Sequence, residues 1–89
     1  MELFISIIIP AYNSEATIEK CVHSLTSQSF PRNQFEIIVV DDCSTDKTAY
    51  LAKAAGANHV ISTKTNCGQG PARNLGVKNA KGKFLAFTD

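Results

Sequence analysis

Several reactive side chains stand where apolar runs of this sequence end. Asp41 and Asp42 follow the run Phe35 to Val40, and Asp89 follows Lys83 to Phe87. Pro10-Ala11-Tyr12-Asn13 closes the first run, and Arg73 comes just after a glycine-rich stretch, Asn66-Cys67-Gly68-Gln69-Gly70. A carboxylate only accepts hydrogen bonds, so it can take the ring N–H of a pyrimidine or guanine base. Arginine meets a diphosphate through two N–H groups at once. Carboxylate oxygens are hard ligands of the kind Mg²⁺ or Mn²⁺ prefers. With the backbone N–H groups of a glycine-rich loop, the set suits a nucleotide diphosphate bound with a divalent cation.

These groups meet only if the apolar runs are strands of one sheet. Leu3 to Ile9, apolar and β-branched except for Ser6, predicts a strand covered on both faces. Asn13 or Ser14 is expected to cap a helix whose buried stripe is Ile18, Cys21, Val22 and Leu25. Phe30-Pro31-Arg32-Asn33 breaks that helix, and Phe35 to Val40 predicts a second buried strand. Ser44, Thr45 or Asp46 should cap the next helix, with Thr48, Leu51, Ala52 and Ala55 facing inward and Gly56 ending it. His59-Val60-Ile61 reads as a short edge strand. Pro71 fits the first residue of a third helix, with Arg73 in its first turn. That helix stops near Gly82, and Lys83 to Phe87 is a fourth strand. The class is α/β: a parallel, helix-covered sheet with right-handed crossovers. Ligands of such sheets sit outside the carboxyl ends of the strands, where the acids fall.

Composition narrows the function. At 89 residues the chain holds one domain at most, or part of one. A net charge of +1 without a clustered basic patch argues against a nucleic-acid or anionic-membrane surface. Three widely spaced cysteines read as reduced thiols, hence a cytoplasmic setting or the cytoplasmic face of a membrane. The first residues, Met1-Glu2-Leu3-Phe4-Ile5, lack the basic start of a signal peptide. No stretch approaches the roughly 18 apolar residues of a membrane span. His23 and His59 lack metal-ligand spacing, and Cys21 reads as core filler. Gly68-x-Gly70-x-x-Arg73 is not the dinucleotide fingerprint, because it follows the third strand and an arginine replaces the last glycine. Each candidate also has a plain structural role: turn or cap for Asp41 and Asp42, a solvated side chain for Arg73, loop geometry for Gly68 and Gly70.

Four blocks resemble the family 2 inverting glycosyltransferases: Ser6-Ile7-Ile8-Ile9-Pro10-Ala11-Tyr12-Asn13; Ile37-Ile38-Val39-Val40-Asp41-Asp42-Cys43-Ser44-Thr45-Asp46; Asn66-x-Gly68-x-Gly70-x-Ala72-Arg73-Asn74-x-Gly76; and Gly82-Lys83-Phe84-Leu85-Ala86-Phe87-Thr88-Asp89. They fall in the family's order and cover essentially the whole chain. The resemblance implies the Rossmann-like three-layer half of a glycosyltransferase-A fold, strand order 3-2-1-4. It also implies a nucleotide-sugar donor, commonly a UDP-sugar, above strands 1, 2 and 4. By matching position, the nucleotide-binding residues are Pro10, Ala11, Tyr12, Glu15, Asp41, Asp42, Arg73 and Asp89. Ala11 and Tyr12 would line the base pocket, Asp42 would take the base N–H, and Arg73 would lie near base and diphosphate. Asp89 resembles the first aspartate of the family's Asp-x-Asp motif, which meets the ribose or the metal. Glu15 matches a frequent acidic residue after Asn13, and helix N-terminus stabilisation explains it equally well. Cys43 stands where glycine is common, a tolerable change if the backbone there is not left-handed.

The second aspartate of Asp-x-Asp, the acceptor site and the general base are expected beyond Asp89, so no catalytic residue is expected within the chain. The parent enzyme would transfer a sugar to an acceptor hydroxyl with inversion, Mg²⁺ or Mn²⁺ assisting the departing diphosphate and a base activating the acceptor. The 89 residues alone would bind UDP weakly or undetectably and catalyse nothing. Their open strand 83–87 invites a homodimer. A nucleotidyltransferase would want a basic, glycine-rich loop after strand 1, where this chain has Ala11-Tyr12-Asn13-Ser14-Glu15. A receiver-like domain would want its paired acids after the first strand. A non-catalytic nucleotide-binding piece remains open.

Overall fold

The computed structural model describes residues 4–28 and 31–88. The elements alternate as expected: β1 (Ile5–Ala11), α1 (Ile18–Thr26), a short 3-10 turn (Arg32–Gln34), β2 (Phe35–Asp41), α2 (Thr48–Ala55), β3 (His59–Ser62), α3 (Gln69–Asn79) and β4 (Phe84–Phe87). All strand pairs are parallel and the order is β3-β2-β1-β4. Every residue of β2 is buried, because α1 and α2 cover one face of the sheet and α3 covers the other. Alternate side chains divide between the faces. Ile9, Ile37 and Val39 meet Ile18 and Val22 of α1 and Ala52 and Ala55 of α2. Ile8, Ile38 and Val40 meet Ala72 of α3. Each fully buried Ile or Val contributes about 2 kcal/mol.

The predicted helix faces hold. Ile18 and Val22 are buried, with Cys21 and Leu25 packed at their side, and burial pushes the Cys21 thiol pKa up. Gly56, at φ 113, ends α2. No helix among the described residues is long and apolar enough to cross a membrane.

Several boundaries differ, each for a physical reason. β1 continues through Pro10 to Ala11. Ala11 C=O accepts Asp42 N–H from the β2 side, so Pro10 turns its missing donor toward β4, whose pairing has already ended at Ile8↔Phe87. Helix α1 starts at Ile18, because the Ser14 carbonyl takes the N–H groups of Thr17 and Ile18 in a preceding turn. Neither Asn13 nor Ser14 caps it. α3 begins at Gln69, two residues before Pro71; the third helical position still lacks an intrahelical N–H bond, so proline fits there. Arg73 is therefore the fifth helical residue and lies past the first turn. The Phe30 part of the expected break lies outside the described residues.

Gly82 has a different task from stopping a helix. A Cβ there would sit 2.7 Å from Ser6 N and 2.7 Å from Ser6 Oγ. That close approach closes a buried polar knot beneath the α3–β4 turn. Ser6 Oγ donates to Glu36 Oε2 (2.6 Å), Lys81 N–H donates to the same oxygen (2.7 Å), and Gly82 N–H donates to Ser6 Oγ (2.8 Å). His59 Nε2 stands 3.6 Å from Glu36 Oε1. The knot fixes where β4 begins beside β1.

Candidate functional site

The carboxyl ends of β1 and β2 are laced together by side chains from their following loops. Asn13, at φ 47, donates its N–H to Ser44 Oγ (2.8 Å) and accepts Thr45 N–H at Oδ1 (2.9 Å). Ser14 N–H donates to Thr48 Oγ1 (2.8 Å). Glu15 N–H donates to Asp46 Oδ2 (3.2 Å), and Glu15 Oε2 accepts Lys47 N–H (3.1 Å). None of the residues expected to cap α2 is its N-cap, which is Lys47, but one residue earlier Asp46 Oδ1 accepts Thr48 N–H (3.0 Å) and the Thr48 hydroxyl. The Thr48 hydroxyl is the largest influence holding the Asp46 carboxyl below its usual pKa. Glu15 thus stabilises a helix N-terminus, that of α2 across the loop rather than that of its own helix.

This lacing sets Tyr12, half exposed at the end of β1, near the paired acids that close β2. Pro10 and Ala11 are buried beneath it. Asp41 is buried, and Oδ1 accepts Ser44 N–H at 3.2 Å. Asp42 is only 4% exposed, and three protein donors reach its two oxygens. Oδ1 accepts the Thr63 hydroxyl (2.9 Å) and Cys67 N–H (2.9 Å), and Oδ2 accepts Gly68 N–H (2.7 Å). The Cys67 N–H chiefly, then the Gly68 N–H and the Thr63 hydroxyl, hold its pKa below the ordinary carboxylate value against the opposing effect of burial. Asp42 is therefore ionised and acceptor-only at neutral pH.

That arrangement changes one expectation. The glycine-rich loop was expected to offer its N–H groups to a diphosphate, but those of Cys67 and Gly68 are directed at Asp42. Gly68 reaches this position at φ 90, a backbone other residues rarely adopt. Arg73 is half-buried on α3, downstream of this loop. Asp89 lies outside the described residues. Thr63 was missed by sequence reasoning. Its signal was its position, because the first residue past an edge strand beside β2 must meet the acids that end β2. Two hollows elsewhere, about 240 and 330 Å³, are lined by Ile5, Leu25 and Phe35 and by Lys53, His59 and Lys81, away from these acids.

Cys43 has φ 63, so the backbone where glycine is common is left-handed after all. Asp41 C=O imposes it by accepting both Cys43 N–H and Thr63 N–H at 2.9 Å. A left-handed side-chain residue costs about 1–2 kcal/mol, and glycine's looser unfolded chain gives back about 0.4–1. Cys43→Gly should therefore raise stability by roughly 0.5–1 kcal/mol in urea unfolding. A lower midpoint would contradict this reading of the turn.

Among the described residues no group of three His, Cys, Asp or Glu could hold a metal ion. Asp41 and Asp42 turn their oxygens to protein donors, so they do not form a cation site by themselves.

A parallel sheet in this order, covered by helices on both faces, is the architecture found in glycosyltransferase-A folds. The crystal structure of Staphylococcus aureus TarS 1–349 in complex with UDP-GlcNAc superposes with a TM-score of 0.92 and 42% identity, over 98% of this chain and 26% of that one. Glucosyl-3-phosphoglycerate synthase from Mycobacterium tuberculosis, in complex with Mn²⁺, UDP and glucosyl-3-phosphoglycerate, gives 0.83 and 33% identity, over 98% of this chain and 33% of that one. In sequence, the poly(ribitol-phosphate) beta-N-acetylglucosaminyltransferase TarS of S. aureus is 42% identical over 88 residues, 94% of this chain and 15% of the relative. The description "Glycosyl transferase family 2" matches residues 6–89, and the chain belongs to that family of enzymes. It spans only a small part of the length of these relatives.

Proposed function

We propose that this chain forms the nucleotide-binding front part of a longer transferase, reaching the start of an Asp-x-Asp motif at Asp89. That enzyme moves a sugar from a UDP-sugar to an acceptor hydroxyl with inversion. The observation that carries the reading is Asp42: a buried, ionised carboxylate at the end of β2 with an acceptor position to spare, in a sheet matching one solved with UDP-GlcNAc. Pro10, Ala11, Tyr12, Glu15, Asp41 and Arg73 complete the donor side, and Asp89 is the ligand offered to Mg²⁺ or Mn²⁺. The Mn²⁺ in the mycobacterial synthase supports the choice of cation class. A cytoplasmic setting accords with the free cysteines. Catalysis needs residues beyond these, so the 89 residues alone should neither transfer the sugar of UDP-GlcNAc nor hydrolyse it with Mn²⁺ present. Measurable turnover by the purified chain would overturn this division of labour.

The same reading extends to self-association of the 89-residue chain. β4 is a sheet edge, and Phe84, Leu85 and Phe87 are 57%, 44% and 49% exposed. An edge without inward charge or proline offers its backbone groups to another strand. Analytical ultracentrifugation should show concentration-dependent dimers that Leu85→Lys weakens. A clean monomer at high concentration would contradict the edge argument.

A further inference from the structure

We propose that Thr63 is a positioning residue for the donor base, holding the Asp42 carboxylate in the plane from which it reads a ring N–H. The proposal rests on the reading of Asp42 as the base acceptor. A carboxylate offers about four lone-pair positions. Thr63 Oγ1 and Cys67 N–H occupy both on Oδ1, and Gly68 N–H occupies one on Oδ2, leaving a single position on Oδ2. The sheet places Thr63 independently of the glycine-rich loop. It follows β3 directly, where Ser62 pairs with Asp41, and its own N–H is fixed by Asp41 C=O at 2.9 Å. Its β-branched side chain has little χ1 freedom. Thr63 Oγ1 stands 2.9 Å from Asp42 Oδ1 and 2.8 Å from Thr65 C=O, and the charge on the carboxylate draws its single proton to Asp42.

The last torsion of an aspartate side chain is broad, so the carboxylate plane is set by its partners. Cys67 and Gly68 both belong to the loop entering α3, and alone they would let the carboxylate move with that loop. Thr63 ties the same group to the sheet. Its hydroxyl therefore turns a loop-borne acceptor into a fixed one. The nucleotides this geometry selects are those with a ring N–H, uracil and guanine, against cytosine, whose ring nitrogen at that place is itself an acceptor.

The test uses the ¹⁵N-labelled chain with Thr63→Val, Thr63→Ala, Thr63→Ser and Asp42→Asn, and UDP and CDP as probes. The Cys67 and Gly68 amide signals report the ionisation of Asp42 as pH falls. Thr63→Val should raise that midpoint by about half a unit or more and cut the preference for UDP over CDP at least about threefold. Thr63→Ser should restore both, and Thr63→Ala repeats the deletion with less bulk. A mere packing role would not move the midpoint or be rescued by serine. Unchanged midpoint and preference in Thr63→Val and Thr63→Ala, with preference lost in Asp42→Asn, overturns the proposal alone. A wild type without preference, or one whose preference survives Asp42→Asn, overturns the base reading and the proposal with it.

Discussion

Glu36→Ala is expected to lower the unfolding free energy by about 2–4 kcal/mol, enough to leave a chain of this size largely unfolded. Glu36 is 2% exposed, second in the most buried strand. Its Oε2 accepts both the Ser6 hydroxyl and Lys81 N–H, and Ser6 in turn accepts Gly82 N–H. Removing the carboxylate leaves the buried Ser6 hydroxyl and the part-buried Lys81 N–H unpaired and opens a void beside Ser6. It also frees the α3–β4 turn, which holds β4 against β1. Glu36→Gln keeps one acceptor oxygen for both donors and should cost less than half as much. Urea unfolding followed by circular dichroism measures both, and a wild-type midpoint for Glu36→Ala would show that the knot is not needed.

Asp42→Ala should remove any preference for UDP and weaken its binding by about 1–3 kcal/mol, a factor of roughly 5 to 150. The loss has two sources. The acceptor for the base N–H is gone, and Cys67 and Gly68 lose the group that draws their loop against β2. The second source makes wild-type stability depend on pH in a defined sense, and the variant lacks that dependence. Because the folded pKa of Asp42 is depressed, its stabilisation is complete above the ordinary carboxylate value of about 4 and is lost as pH falls through the lower folded value. Wild type should therefore lose stability in acid more steeply than Asp42→Ala. Calorimetry with UDP and thermal melts across acid pH decide the two parts, and unchanged affinity would move the base pocket elsewhere.

Much of the fold could be read from local pattern. The apolar run Phe35 to Val40, the Ile18 and Val22 stripe and Gly56 after α2 act through spacing and backbone freedom alone. That Asp41 and Asp42 would stand at the carboxyl end of β2 was legible for the same reason. What escaped were partnerships across long separations. Asn13 and Ser14 look like caps for the helix that follows them, yet their partners Ser44, Thr45 and Thr48 lie beyond β2, on the loop after it and at the start of α2. Ser6 is a lone polar interruption in an apolar run until register sets it opposite Glu36. Cys43 argues locally against a left-handed turn, and the paired N–H bonds to Asp41 C=O override that preference. Thr63 has no signature until β3 is placed beside β2.

The central claim is that a donor nucleotide lies across the carboxyl ends of β1 and β2 with its base on Asp42. The most direct measurement is a titration of the ¹⁵N-labelled chain with millimolar UDP, followed by amide chemical shifts. The account predicts weak, fast-exchange binding with the largest shifts at Tyr12, Asp42, Cys43, Cys67 and Gly68, and none at Lys81 or Gly82 at the opposite end of the sheet. Shifts centred on that opposite end, or none at the Asp42 rim, would contradict it.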